Sequence, residues 1–417
     1  MLVAPRDVKG NFEESFRRWA GSVPAICFLA VAIFMWRRPV ELHHAYIWVE
    51  EGTVSLPAYL STGWRSVFSP VSGYLVVPAK LIFLTAATLS ATHLPQVEYW
   101  LTLIFEVGTI ALIAFSPSHL PFPKLAALSV MLVPTQPEVF AVSEYAFWWG
   151  ALWSFVAVFW RDGDHPRLGW RGLLVLIGGL SSPMCIPAAG LLVYRAIVTR
   201  KRTDWLLGVG AVLVGLVQLV FMLSRGPMGD GDRRFDPFQI VLRFFGQFVV
   251  SSEVIPALLV FTLGAAILVG LVAYCVANRK WRDPYFVMLV GCLCAALLAS
   301  ITRVPVHVLH PVLSGPRYFF YPFVFLAWTL LYMFAEVRQV AKVAIGGVLL
   351  VALTQFAHHG RQRYDTFTWR AELQRCVASG SATYSFPVQF AGPKEIAWHV
   401  PLTGDQCQDL IDRSIFK

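Results

Sequence analysis

Long apolar runs, most of them bordered by a short cluster of Lys or Arg, constrain this chain more than any other feature. They fall at roughly 20–36, 74–92, 97–115, 124–136, 146–160, 172–198, 205–224, 255–277, 285–301, 318–335 and 340–357. A helix needs about 20 apolar residues to cross the hydrocarbon core of a bilayer, or about 17 where its ends are wet. Composition agrees: 57% of residues are hydrophobic and only 14% charged, against about 25% charged in a soluble domain. A water-soluble body, a disordered chain, a coiled coil and a disulfide-scaffold module are all excluded. The expected fold class is an all-α integral membrane protein. It is a polytopic bundle of about 9–11 transmembrane helices, with non-spanning juxtamembrane helices and a small extracytoplasmic C-terminal tail. Fifteen Trp, thirteen Tyr and thirty-one Phe suit aromatic belts at the two interfaces.

The net charge of +9 does not call for nucleic acid. The basic residues sit in short clusters between apolar runs, the pattern that the positive-inside rule produces. Residues 1–21 are polar and no cleavage site follows the first run, so that run is read as a retained first span rather than a signal peptide. Arg6, Lys9, Arg17 and Arg18 precede it. Arg161, Arg167 and Arg171, then Arg195, Arg200, Lys201 and Arg202, then Arg279, Lys280 and Arg282, then Arg338 and Lys342 follow later runs. All are expected on the cytoplasmic side. Parity closes if two runs do not cross independently. Run 74–92 would lie against the outer leaflet. Run 172–198, broken at Ser181-Ser182-Pro183 and again at Pro187 with Arg at both ends, would enter and return as a hairpin. Broken helices at membrane depth survive only when buried in protein or lining a cavity, which points to a site.

This leaves about nine full spans, with the N-terminus inside and segments 37–73, 137–145, 225–254 and 302–317 outside, together with everything from His358 onward. Three regions follow: 1–200 with the first outer loop 37–73, 201–357 with outer loops 225–254 and 302–317, and a small extracytoplasmic segment 358–417. The tail has soluble composition and holds two of the seven Cys. A Cys376–Cys407 disulfide is expected, since such a tail would meet an oxidising compartment. Cys27, Cys185, Cys275, Cys292 and Cys294 lie in apolar runs and read as packing residues.

The first outer loop concentrates chemistry: Glu41-Leu-His-His-Ala-Tyr-Ile-Trp48-Val-Glu50-Glu51-Gly52-Thr53. Paired carboxylates flanked by Trp and Gly, just outside a first span, are hard to explain as packing; the alternative is a solvated turn or a helix cap. A second acidic site is Pro137-Glu138 through Ser143-Glu144-Tyr145, where a wet turn between helices is an equal alternative. Glu106, within run 97–115, is a functional candidate because an intramembrane carboxylate is expensive.

These loops resemble the GT-C superfamily of membrane glycosyltransferases, which use polyprenyl-phosphate sugars as donors. Trp48-Val-Glu50-Glu51-Gly52 is similar to a Trp-Ala-Glu-Asp-Gly pattern of bacterial multipass proteins of this class, and the resemblance covers about the first 200 residues. It implies a catalytic base in the first outer loop, followed by non-spanning helices, and a second acidic position after the third span, which Glu138 and Glu144 match. The family's first-loop acid is usually Asp, which leaves open whether Glu51 or Glu50 holds the position. Gly315-Pro316-Arg317-Tyr318 is similar to a Gly-Arg-Tyr element of such proteins; its alternative is an interfacial anchor.

The departing lipid phosphate needs a positioned cation, and Arg suits phosphate best. Candidates for substrate or phosphate binding are Arg317, Arg303, Lys80, Tyr318, His307 and His310. Arg37 and Arg38, outside against the charge rule, would meet lipid headgroups or donor phosphate. Glu41, His43 and His44 lack the spacing of a helical metal site. Some members of the superfamily hold a divalent cation on first-loop acids and others need none, so no metal ligand is assigned. Asp230-Gly-Asp232-Arg-Arg-Phe-Asp236 is similar to a calcium-loop fragment without its terminal Glu.

The expected activity is inverting sugar transfer from a polyprenyl-phosphate donor to a hydroxyl of an envelope glycan or lipid. Glu51, or failing that Glu50, would be the base, at a site facing the periplasm or exterior of a bacterial inner membrane. Membrane lipids and these substrates are the expected partners. The rivals are a lipid-linked glycan flippase or other transporter, which would show inverted repeats, and a membrane acyltransferase, for which His307 and His310 would be the only reactive pair.

Overall fold

Apolar content and length set the frame. The computed structural model describes residues 22–163, 167–224, 235–252, 254–363, 368–389 and 398–416. Arg6, Lys9, Arg17, Arg18, Asp230 and Asp232 lie outside these residues. In chain order the helices are α1 (Val23–Arg37), α2 (Leu56–Thr62), α3 (Val77–Leu89), α4 (Leu94–Phe115), α5 (Pro123–Met131), α6 (Ala146–Val158), α7 (Leu168–Gly179) and α8 (Cys185–Thr199). They continue as α9 (Arg202–Ser224), α10 (Ala257–Ala277), α11 (Pro284–Ile301), α12 (Phe320–Glu336), α13 (Gln339–His359), α14 (Trp369–Ala378) and α15 (Gly404–Asp412). Among the described residues, six are long and apolar enough to cross a membrane: α4, α9, α10, α11, α13, and α12 with its leading turn Pro316–Phe319. The protein is a helical membrane protein of several spans.

Five further apolar helices, α1, α3, α6, α7 and α8, are 12 to 15 residues long. Helix α3, at 13 residues, is about 20 Å long, too short for a hydrocarbon core of about 30 Å.

Helices α7 and α8 form the expected hairpin. Arg171, near the start of α7, gives Nη2 to Asp204 Oδ1 at 2.7 Å, and Arg195, near the end of α8, brings Nε within 3.2 Å of the same oxygen. Asp162 pairs with both arginines. Two ends that share one buried acid must lie together, so the segment between them turns back on itself. Such a network specifies the arrangement more than it stabilises it, because desolvation offsets much of the attraction. At the other end of the hairpin, Gln218 of α9 takes Leu75 N–H and gives its amide to Leu75 and Gly179 carbonyls. Val77 N–H donates to Leu180 O at 3.0 Å. The start of α3, the hairpin break and α9 are thereby pinned at one level.

Among the described residues the fold is all-α as expected, apart from one two-stranded hairpin in the C-terminal segment. Strands β1 (Thr383–Pro387) and β2 (His399–Thr403) pair antiparallel, with Thr383 opposite Thr403 and Pro387 opposite His399. The Cys376–Cys407 disulfide forms as expected and ties α14 to α15. This unit does not stand apart. Gln389 N–H donates to Ile47 O at 3.0 Å, and Gln389 bridges to Trp48. Trp369 Nε1 donates to Ala91 O, Arg413 Nη1 donates to Tyr59 O, and the backbone N–H groups of Ile415 and Phe416 donate to the carbonyls of Thr88 and Leu89. The tail therefore clasps the first loop and α3, on the same side of the bundle.

Candidate functional site

The site is built from two loops held face to face. Arg37 and Arg38, at the end of α1, are buried. Arg37 donates to the carbonyls of Met131, Val133 and Thr135, and its guanidinium lies 3.7 Å from the Phe140 ring centroid. Arg38 donates to Glu41 and to Phe140 O. The expectation that they face headgroups or phosphate is thus corrected: they satisfy the carbonyls of a loop that has no helix to do so. Glu41 is spent on Arg38, while His43 and His44 are exposed, so this trio does not converge. Glu106 accepts the Ala141 N–H at 2.9 Å, beside a backbone held at φ +52°; its role is to clamp the second loop. Asp236, last of the calcium-like string, caps a short helix by accepting Gln239 N–H.

The two neighbouring glutamates separate. A π-helical turn over Glu51–Ser55 sends Glu51 inward, where it is 2% exposed. It accepts the N–H groups of Trp48 and Glu144, each at 2.6 Å, and the hydroxyl of Ser143. Ser143 is also 2.7 Å from Glu98 Oε1. A hydroxyl has one proton to give, so one of these two carboxyls must itself donate. Burial raises the Glu51 carboxyl above its usual range, with the donors from Ser143, Trp48 and Glu144 pulling back. Fully occupied in this way, Glu51 joins the two loops and does not reach the cavity. The expectation of Glu51 as first-choice base is corrected on this geometry.

Glu50 points the other way. It lines a cavity of about 470 Å³, within the size range of small-molecule sites. Its Oε2 has no hydrogen-bond partner among the described residues. Burial raises its carboxyl, and the nearby Arg317 charge pulls it back down. Glu144 lines the same cavity with an unpartnered Oε1. Burial holds it well above the usual carboxylate range, helped by the charges of Glu51 and Glu50 and opposed by Lys80.

Arg317 and Arg303 both line this cavity, as do Tyr318 and Tyr74. The Arg317 Nη1 donates to Glu138 and, at 3.0 Å, to Tyr145 Oη, and its backbone N–H donates to Glu138 Oε2 at 3.1 Å. Tyr145 in turn donates to Glu138 and accepts Trp48 Nε1. Glu138 is thus the holder of Arg317 and not a cavity carboxylate, which corrects its placement among the catalytic candidates. The Arg303 guanidinium lies 5.1 Å from the Tyr74 ring centroid, and burial pushes the Tyr74 phenol up to about 12, so that phenol is a neutral donor.

Three expected ligands fall elsewhere. Lys80 is buried in α3, within electrostatic reach of Glu144 and Glu51 but off the cavity wall. His307 is exposed. His310 accepts Val312 N–H through Nδ1 and is held down at about 4, chiefly by burial. Neither His lines the cavity. Among the described residues, no group of three or more His, Cys, Asp or Glu is placed to hold a metal ion.

The broken hairpin does line the cavity, through Ser182, Pro183, Met184, Ile186 and Pro187, with Met222, Ala295 and Leu298 beside it. Trp148 and Tyr321 complete the wall. Sequence reasoning missed Glu98 and these two aromatics; nothing but the topology distinguishes them from other polar or aromatic residues in apolar runs. Comparison of the chain with protein-family models, curated proteins and solved structures finds no match.

Proposed function

We propose that the protein is a membrane glycosyltransferase that moves a sugar from a polyprenyl-phosphate donor to an acceptor hydroxyl, with Glu50 as the base. The observation that carries this reading is the convergence of Glu50, Arg317 and Arg303 on one cavity, in a wall of apolar helices. Glu50 takes the proton of the acceptor hydroxyl as that oxygen bonds to the anomeric carbon. The bond from that carbon to the phosphate oxygen breaks, its electron pair leaves with the phosphate, and configuration inverts. Arg317 faces the charge that develops on the departing phosphate. Its bonds to Glu138 and Tyr145 come from Nη1, so Nη2 and Nε are the donors that a phosphate would take. Preorganised charge of this kind supplies most of the rate enhancement in many enzymes.

Ile186 and Leu298, 38% and 58% exposed, offer the apolar side on which a lipid tail would enter. The tail clasps the first loop and carries a disulfide, and disulfides persist in oxidising compartments. The site is therefore assigned to the outer face, with the clusters around Arg171, Arg195 and Lys280 inside.

The test is release of polyprenyl phosphate from polyprenyl-phosphate hexoses and pentoses by the purified protein when an envelope glycan fraction is added. No release with any donor overturns the reading. Arg317→Lys keeps the charge but loses the planar fork, and transfer should fall by about tenfold, read as initial rate. An unchanged rate would remove Arg317 from the phosphate site.

A further inference from the structure

We propose that Trp148, held by Tyr321, is the subsite for the sugar ring, so that the cavity distinguishes a glycosylated lipid phosphate from the bare lipid phosphate left after transfer. This rests on the transferase reading and names what that reading leaves open, namely which wall recognises the sugar. Trp148 and Tyr321 lie with ring centroids 4.7 Å apart at 32°, while Tyr318 and Phe320 meet Trp148 edge-on at 83° and 87°. The Tyr321 hydroxyl donates to Trp148 O at 2.8 Å. The indole is thus fixed in orientation on the wall that it shares with Arg317 and Glu50.

Its N–H is the telling atom. Trp148 Nε1 is buried and has no hydrogen-bond partner among the described residues. The indoles of Trp48, Trp149, Trp153, Trp328 and Trp369 all donate to protein acceptors. A buried donor without an acceptor costs free energy comparable to a lost hydrogen bond, and such groups in native proteins call for an explanation. A sugar answers both features of the residue. The slightly positive C–H face of a pyranose ring lies on the negative face of an aromatic ring, and its hydroxyls accept from the indole N–H. A bare lipid phosphate offers neither and would engage Arg317 and Arg303 alone. The consequence is directional: the departing product has lost the contacts that held the donor, which favours its exit.

The experiment compares binding of farnesyl-phosphate mannose, glucose and arabinose with that of farnesyl phosphate. The full-length protein in detergent is used, with microscale thermophoresis as the readout and no acceptor present. At least one glycosylated probe should bind more tightly than farnesyl phosphate. Trp148→Phe, which keeps an aromatic face and loses the N–H, should weaken that probe by about fivefold, and Trp148→Ala should erase its advantage. Farnesyl phosphate should bind all three proteins equally, which also reports that the variants are folded. Equal weakening of bare and glycosylated probes, or no weakening of either, overturns the subsite. Arg317→Gln separates the two claims: if it leaves farnesyl phosphate binding intact, the transferase reading fails whatever Trp148 does.

Discussion

Glu50→Gln should lower sugar transfer by about 10²- to 10⁴-fold, the usual loss when a positioned general base is removed, with little change in thermal stability. The amide matches the carboxylate in shape, and Glu50 Oε2 has no protein partner to lose among the described residues. Glu51→Gln should do the reverse. Its carboxylate accepts two donors on Oε1 and the Trp48 N–H on Oε2. An amide placed there must turn its NH₂ toward at least one of those donors, at a cost of about 1–3 kcal/mol, read as a lower melting temperature. Initial rates and melts of the two variants check the pair. Full transfer by the Glu50 variant would sink the mechanism, and interchanged phenotypes would restore Glu51 as the base.

The pH profile carries the same assignment. Glu50 must be ionised to accept a proton, and burial raises its carboxyl above 4.5 despite the pull of Arg317. The rate should therefore climb with pH along an acid limb that lies above 4.5. Removing the Arg317 charge takes away the strongest influence lowering that carboxyl, so Arg317→Gln should move the limb to still higher pH as well as lowering the rate. A limb that stays put in that variant would separate the two groups.

Much of this is legible in the amino-acid sequence, and the reasons are physical. Run length and charge clustering report the bilayer directly, so the membrane class and the hairpin over 172–198 can be read. Arg at both ends and Ser181-Ser182-Pro183 at the middle admit few other shapes. The disulfide follows from two cysteines in a tail of soluble composition. Direction of approach is not legible. Glu50 and Glu51 are neighbours on a helical turn, where adjacent side chains point apart, but which of them meets the cavity and which the second loop is set by long-range packing. Arg37 and Arg38 look like groups awaiting phosphate because loop carbonyls leave no mark in a sequence. Glu138 and Arg317, 179 positions apart, look like two site residues, whereas one holds the other. His307 and His310 group with the phosphate ligands by their place beside Arg317, and burial with a backbone partner turns His310 aside. The β-hairpin in the tail escapes notice because its short alternating stretches are hard to tell from polar loop.

Opening the Cys376–Cys407 bridge should loosen the site from a distance. The cross-link spans 31 residues, and in the chain-entropy account a closed loop of that size contributes about 3–4 kcal/mol. That is a large fraction of what holds a unit of this size together. The released unit is the one whose Gln389 pairs with Ile47 and Trp48, two to three residues before Glu50. It also carries Val388 and Val400, so close to Gly52 that a Cβ there would meet their methyls at 2.5 and 3.0 Å. Cys376→Ser with Cys407→Ser should make the tail sensitive to protease and raise amide exchange over residues 47–52. Local opening of this kind is the low-free-energy motion of a folded chain. Trp48 also donates to Tyr145, which holds Arg317, so base and phosphate clamp should lose their alignment together. Transfer should fall by about tenfold or more, since small misplacements in a preorganised site cost that much, while the helix content of the bundle is unchanged. If the double variant keeps native protease resistance and full transfer, the tail is a passenger and the alignment of Glu50 with Arg317 is set by the two loops alone.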